Sequence, residues 1–248
     1  MHGDALDRFA RHIILKEFGG LGQQELIASD IALIGLGGIG SPALQYLAAS
    51  GVGQLRLIDD DKVDFSNLPR QTIFSDADIG SAKAEAAATA VRSLHPGSRA
   101  SVHAERLDAS NAARLLEGAD LVIDGSDNFE TRLVAADTAL ALRIPLVSAA
   151  VAEFRAQVAL YRGWEPDKPC YRCLVGSDPA LPDASCAAQG VLAPVAGLAG
   201  CLAAIEAMRA ITGFGTDTAG SLLIVDMLAG SFRRVTVRKD PLCPSCAA

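Results

Sequence analysis

The sequence predicts an α/β fold: a doubly wound, Rossmann-like, mostly parallel sheet, extended by antiparallel C-terminal strands. Three observations predict it. Short apolar runs alternate with helical stretches as far as Val151, the pattern of repeated β-α units with right-handed crossovers. A G-x-G-x-x-G, Gly35 to Gly40, joins one such run to one such helix. After Val151 the alternation gives way to extended segments suited to antiparallel pairing. At 248 residues, half of them hydrophobic, the chain is long enough to bury a sizeable core as one domain, 1–248. Within it we expect an N-terminal helical arm (1–28), a nucleotide-binding half (29–150) and a second half (151–248).

The arm opens with Leu6 to Phe18, amphipathic at helical spacing, with Leu6, Phe9, Ile13 and Ile14 on one side. Arg8 and Arg11 share another face. Gly19-Gly20 should break this helix, and Gln23 to Ala28 should form a second. Ile31 to Ile34 is an apolar run suited to a parallel strand buried on both faces. The glycine turn follows, then a helix from Ser41 to Ser50 that tolerates Pro42 in its first turn. Gly51-Val52-Gly53 stops it, and Gln54 to Ile58 is the next strand. Asp59 lies 19 residues after Gly40, at that strand's carboxyl end. In such a unit the first glycine permits the turn, the second lets backbone approach phosphate, and the third lets helix pack on strand. The helix N-terminus offers unpaired N–H donors and a positive dipole end, and Asp59 can bond ribose hydroxyls. This pattern specifies a nucleotide site without choosing between a dinucleotide and ATP.

Asp60 to Ser75 is polar and aperiodic, and contains Ser66-Asn67-Leu68-Pro69-Arg70-Gln71. It follows a strand's carboxyl end, where α/β folds bind ligands. Ile79 to Leu94 reads as a helix with Lys83 in its first turn, where the dipole disfavours a cation and an anionic ligand would favour it. Ala100 to Ala104 reads as a strand and Asn111 to Glu117 as a helix. Leu121 to Asp124 is another buried strand, running through Gly125-Ser126-Asp127-Asn128 into a helix from Phe129 to Leu142. Asp127 is thus placed as Asp59 is, just past a strand. Pro145 to Val151 is the next strand, and Gln157 to Tyr161 begins the antiparallel extension. Asp178 to Gln189 is a Pro/Asp/Ser/Ala loop carrying Cys186. Val191 to Thr212 is an apolar helix, and Ser221 to Asp226 with Ser231 to Val237 closes as a hairpin.

The six cysteines are Cys170, Cys173, Cys186, Cys201, Cys243 and Cys246. Two C-x-x-C pairs, 170/173 and 243/246, form a metal signature in a chain expected to be cytoplasmic. Four thiolates complete a tetrahedron around zinc and leave no open position, so the expected role is structural. With 69 residues between Cys173 and Cys243, the metal would clip a late loop to the C-terminal tail. Two disulfides or a redox pair are the alternatives. Cys201, inside the apolar helix, reads as a small buried hydrophobe. The net charge of −7 argues against a nucleic-acid or anionic-membrane partner. Met1 to Asp4 begins no signal peptide. The longest uncharged apolar run, Val191 to Ile205, is 15 residues and is interrupted by Pro194, Gly197 and Gly200, short for a membrane span. It reads as a core or dimer helix.

Taken together, Arg8-Phe9-Ala10-Arg11, the glycine motif, Ser66 to Gln71, Lys83, Asp124 to Asn128, the two C-x-x-C pairs, and Cys186 before Gly190-Val191 resemble one family. It is that of the ubiquitin-activating-like adenylyltransferases of bacterial sulfur transfer, which activate the molybdopterin-synthase small subunit or the thiamine-pathway sulfur carrier. The resemblance runs from Arg8 to Cys246 and departs at Pro69, where glutamine is usual. It implies ATP as the nucleotide and the C-terminal Gly-Gly carboxylate of a ubiquitin-like carrier as the substrate, docked by 151–248. It further implies that Gly38 touches the nucleotide, that Asp59 holds the ribose, and that Ser66, Asn67, Leu68, Pro69 and Arg70 line the site. Arg70 and Lys83 would contact phosphates, Asp127 would bind magnesium with Asn128 assisting, and Arg11 would cross into the neighbouring protomer of a homodimer. Some members use the residue matching Cys186 in a covalent step. With the chain ending two residues past Cys246, we expect a separate sulfur donor.

Elementary chemistry agrees with the resemblance. A carboxylate attacking the α-phosphate of ATP brings anion against polyanion, so catalysis is mostly charge neutralisation and in-line positioning. Two cations and a carboxylate-held metal ion supply both. A nicotinamide oxidoreductase would use the glycine motif and Asp59 equally well, but leaves Arg70, Lys83, Asp127 and the paired cysteines without a role. A non-catalytic scaffold that docks a carrier has no need of phosphate ligands.

Overall fold

In the computed structural model, which describes residues 3–176 and 190–247, the apolar runs form β1 (Asp30–Ile34), β2 (Gln54–Ile58), β3 (Arg99–His103), β4 (Leu121–Asp124) and β5 (Leu146–Ala152). The later extended segments form β6 (Arg155–Tyr161), β7 (Ser221–Asp226) and β8 (Ser231–Thr236). All join one sheet in the order β3-β2-β1-β4-β5-β6-β7-β8. Pairings from β3 to β5 are parallel. Those from β5 to β8 are antiparallel. The order in which the chain adds parallel strands reverses between β1 and β4, which leaves a crevice beyond their carboxyl ends.

The helices are α1 (Gly3–Ile13), α2 (Gly19–Ala28), α3 (Gly40–Ala49), α4 (Lys83–Leu94), α5 (Ala112–Leu116), α6 (Phe129–Leu142), α7 (Arg172–Val175) and α8 (Ala193–Thr212). Alternation along each strand feeds two cores. Leu33, Leu55, Leu57, Ile123 and Val147 face the layer of α3, α4 and α8. Ala32, Ile34, Val122 and Leu146 face α5 and α6. Burial on both faces is why these strands read as continuous apolar runs rather than alternating ones.

Among the described residues α8 is the one helix long and apolar enough to cross a membrane. Here it lies against β5, β6 and α3. A Cβ on Gly200 would come within 2.4 Å of both the Ile39 carbonyl oxygen and Pro42, so this late helix reaches the backbone at the start of α3.

Several expectations need correction. The first helix ends at Ile13, not Phe18, and Ile14 is exposed. The chain turns so that Phe18 buries its ring near Phe214, and Gly19-Gly20 open α2 rather than separate two helices. Phe9 is buried but Leu6 is not. α4 begins at Lys83 instead of Ile79, because Gly80 adopts a positive φ of 87° and Ala82 bridges to Lys62. Cys201 is half-buried rather than buried. The expected loop from Asp178 to Gln189, with Cys186, lies outside the described residues.

Candidate active site

The crevice is built from the glycine turn. Gly35 leaves β1 with a φ of 80°, in the left-handed region that favours glycine. A Cβ on Gly40 would fall 2.0 Å from the Gly35 carbonyl oxygen, so only glycine lets α3 start this close to the strand. Asp59, at the end of β2, braces the turn from below. Its Oδ2 accepts the Leu36 N–H at 2.6 Å and its Oδ1 accepts the Asp61 N–H at 2.9 Å. Burial pushes its carboxyl above the usual carboxylate range, opposed by the Lys83 charge and by these backbone donors. Each oxygen keeps a further lone pair for a ligand hydroxyl.

A cavity of about 560 Å³ opens here and brings together Gly38, Asp59, Asn67, Arg70, Lys83, Asp127 and Asn128 from five separate segments. A second cavity of about 270 Å³ adjoins it, sharing Asp59, Asp127 and Asn128 and adding Arg106 and Leu107. Ser66, Leu68 and Pro69 belong to the same loop but do not line the larger cavity. Ser66 instead turns back on Asp64, whose Oδ1 accepts its N–H at 2.8 Å, and Leu68 packs toward the core.

Lys83 is nearly fully buried at the first position of α4, with Nζ 2.7 Å from Asp61 Oδ2. Arg70 donates to Asn67 Oδ1 at 2.7 Å and to the Ser66 carbonyl at 3.3 Å, which aims its guanidinium from the loop. Asn128 is the N-cap of α6, accepting the Thr131 N–H at 2.9 Å, so that role does not fall to Asp127. Asp127 is exposed at the mouth and has no hydrogen bond or ion pair among the described residues. An exposed carboxylate with no protein partner among the described residues can take a hard divalent cation with its waters.

Among the lining residues to which the sequence analysis gives no individual role are Arg132 and Gln71. Arg132, one turn into α6, donates to the carbonyls of Ser126 and Ala149, the latter at 3.3 Å. Its Nε lies 3.4 Å from Oδ2 of Asp124, a fully buried carboxylate whose Oδ1 accepts the Ser126 N–H and hydroxyl. Its signal was an arginine four residues past the cap Asn128, on the helix face turned to the site. Gln71 is buried against the cavity, and its Oε1 lacks a hydrogen-bond partner. It closes the Ser66–Gln71 motif, which pointed to the loop but gave this residue no role.

Arg11 is elsewhere. Phe9 packs against Gly51, just past the C-terminus of α3, with its ring 5.5 Å from that of His95. Arg8 donates to the Leu94 carbonyl at the end of α4. The arm thus covers the end of the sheet opposite the crevice, and Arg11 is exposed there, away from the cavity of its own chain.

The four paired cysteines converge. Their sulfurs lie within 4.8 Å of one another, with 3.6 Å between Cys170 and Cys243 and 3.5 Å between Cys173 and Cys246. Zinc–sulfur bonds of about 2.3 Å in a tetrahedron separate the sulfurs by about 3.8 Å, which matches this cluster. All four are free thiols, so the disulfide alternative fails. Burial pushes the Cys170 thiol up, and the Cys246 thiol up to about 11. A cation supplies the charge that such buried thiolates need.

Comparison with known proteins places this geometry. The chain is 43% identical over 244 residues to the SAMP-activating enzyme E1 of Haloferax volcanii, covering 97% of this chain and 88% of that one. It is 41% identical over 251 residues to the sulfur carrier protein adenylyltransferase of Thermus thermophilus, covering 98% and 91%. Against the adenylyltransferase and sulfurtransferase MOCS3 of Drosophila yakuba it is 41% identical and spans 54% of that longer chain. The fold is shared with Escherichia coli MccB, at a TM-score of 0.85 and 22% identity over the whole of this chain and 76% of that one. The ThiF family model matches residues 9–245, and the chain belongs to the ThiF family.

Proposed function

We infer that this chain is an ATP-dependent adenylyltransferase that activates the C-terminal Gly-Gly carboxylate of a ubiquitin-like sulfur carrier. The observation that carries the reading is the convergence of Gly38, Asp59, Arg70, Lys83 and Asp127 on one cavity in a chain of this family. The start of α3 and Gly38 cradle the phosphates by backbone N–H groups. Asp59 accepts from the ribose. Lys83 exchanges part of its contact with Asp61 for phosphate oxygens, and Arg70 meets the same charge from the loop. Asp127 and Asn128 would hold magnesium, which when bound neutralises the triphosphate and orients the leaving pyrophosphate. The carrier carboxylate attacks the α-phosphorus, the bond to pyrophosphate breaks, and an acyl-adenylate forms. The chain supplies alignment and charge rather than a nucleophile.

In this reading 1–28 acts in trans, 29–150 holds ATP, and 151–248 presents the carrier and carries a structural zinc. A homodimer is supported by the position of Arg11, which its own cavity cannot use, and by exposed apolar side chains on the helical layer, among them Leu21, Tyr46 and Ile205. The carrier serves a molybdopterin or thiamine pathway in the cytoplasm, with sulfur from a separate cysteine desulfurase or sulfurtransferase. The test is ATP–pyrophosphate exchange across a panel of Gly-Gly-ended carriers. Exchange that depends on one carrier is expected. No exchange with any of them, together with a rise in melting temperature on NAD but not ATP, would restore the oxidoreductase reading.

A further inference from the structure

The two adjoining cavities differ in what they can hold. The larger contains Arg70, Lys83 and the glycine turn, a setting for phosphates. The smaller, of about 270 Å³, is lined in part by the buried side chains of Ile34, Ile58 and Leu107. Asp59 lines both. A nucleotide whose ribose meets Asp59 therefore has its phosphates on one side and its base on the other, among apolar side chains that suit the face of a ring.

One cation stands over this second cavity. Arg106 follows β3, on a segment whose backbone is fixed by Asn111. The Asn111 Nδ2 donates to the Arg106 carbonyl and to Glu105 Oε2, both at 2.9 Å, and its Oδ1 accepts the Asp108 N–H at 2.9 Å. From there the guanidinium reaches the start of α6, where its Nη2 donates to Asn128 Oδ1 at 3.1 Å and lies 3.5 Å from Glu130 Oε2. Arg106 and Asn128 both line the cavity, so this contact joins two of its walls. Ile58 and Leu107 are buried beneath, and the arginine is on the solvent side. Neither partner holds it tightly: Glu130 is exposed, and the Asn128 oxygen already accepts the Thr131 N–H.

We propose that Arg106 is a nucleotide-binding residue that packs its planar guanidinium on the base of the bound nucleotide, opposite the apolar side chains of the second cavity. This rests on the reading of the paired cavities as an ATP site. A guanidinium is flat, permanently charged and weakly hydrated, so it stacks on an aromatic ring at little desolvation cost. A cation on a ring face that is shielded from water on its other side corresponds to about a tenfold gain in affinity.

The experiment uses the full chain. Binding of a non-hydrolysable ATP analogue is measured by calorimetry, beside the KM values for ATP and for pyrophosphate in carrier-dependent exchange. Arg106→Leu removes the plane and the charge, and Arg106→Lys keeps the charge alone. In both, the Kd of the analogue and the KM for ATP should rise about tenfold, while the KM for pyrophosphate, which has no base, and the rate at saturating ATP should stay within about twofold. An unchanged KM for ATP in Arg106→Leu overturns the proposal. So does wild-type affinity in Arg106→Lys, because charge would then suffice without the plane. An equal rise in both KM values does the same, since Arg106 would then act on phosphates. Glu130→Gln removes the competing carboxylate without touching the arginine and should not raise the KM for ATP; a tenfold rise there would mean that the tie to α6 sets affinity, and would overturn stacking. If the wild-type chain does not bind the analogue, the ATP reading itself fails. If it binds and the Arg106 variants match it, only the role of Arg106 fails.

Discussion

The arm's position carries a test of the proposed homodimer: if Arg11 serves an active site, that site needs two chains. α3 begins at the phosphate cradle and its ten residues rise about 15 Å. Phe9 packs on Gly51 beyond the far end of that helix, so Arg11, two residues on, is separated from its own cradle by more than an arginine side chain spans. If Arg11 stabilises the departing pyrophosphate, Arg11→Ala lowers the rate on the order of 10²-fold, as does loss of Asp127. Random mixing of the two variants makes about half the dimers mixed, and each mixed dimer carries one site with both defects and one with neither. The mixture should regain about a quarter of wild-type activity, about 25-fold above either parent at 1% residual rate. The assay is carrier-dependent pyrophosphate exchange, with subunit exchange verified by mass or tag. A mixture that has exchanged subunits and recovers nothing would refute the shared site.

Other outcomes follow from geometry already described. Protein purified without chelator should contain one zinc per chain, and chelation should lower the melting temperature. Elemental analysis without zinc would count against the cluster. Because the Cys246 thiol sits near 11 and that of Cys170 is also raised, metal uptake must displace protons, so zinc should bind more tightly at pH 8 than at pH 6 in chelator competition; affinity independent of pH would contradict this. Asp127→Ala should lower exchange on the order of 10²-fold with little change in melting temperature, since the side chain is exposed. Gly40→Ala places a Cβ 2.0 Å from the Gly35 oxygen and should cost about 1–3 kcal/mol in denaturant unfolding while weakening ATP binding.

Legibility in the sequence followed the range of the interactions. The parallel strands and the helix from Phe129 to Leu142 were readable because burial on both faces, a local cap and 3.6-residue spacing leave their mark within a few residues. The ends of α1 and α4 were not, because they depend on where Phe18 finds a ring partner and on the bridge between Lys62 and Ala82. Charged residues singled out in the sequence, Arg70, Lys83 and Asp127, line one cavity. Arg132 was missed because its partners Asp124 and Ala149 come from two different strands.

The approach of Gly200 to the Ile39 carbonyl also bears on how the protein is made. The glycine turn is encoded within the first forty-odd residues, yet the helix that backs it is encoded around residue 200, and the four-cysteine cluster is completed only at Cys246. During synthesis the N-terminal β-α units emerge first, with the apolar face of β4 and β5 not yet covered by α8. Such non-local closure slows folding and leaves apolar surface open to association while it lasts. A nascent chain stalled before α8 therefore carries every residue of the glycine motif without the packing that fixes it, and nucleotide affinity should appear late, as the last third of the chain folds back onto the first.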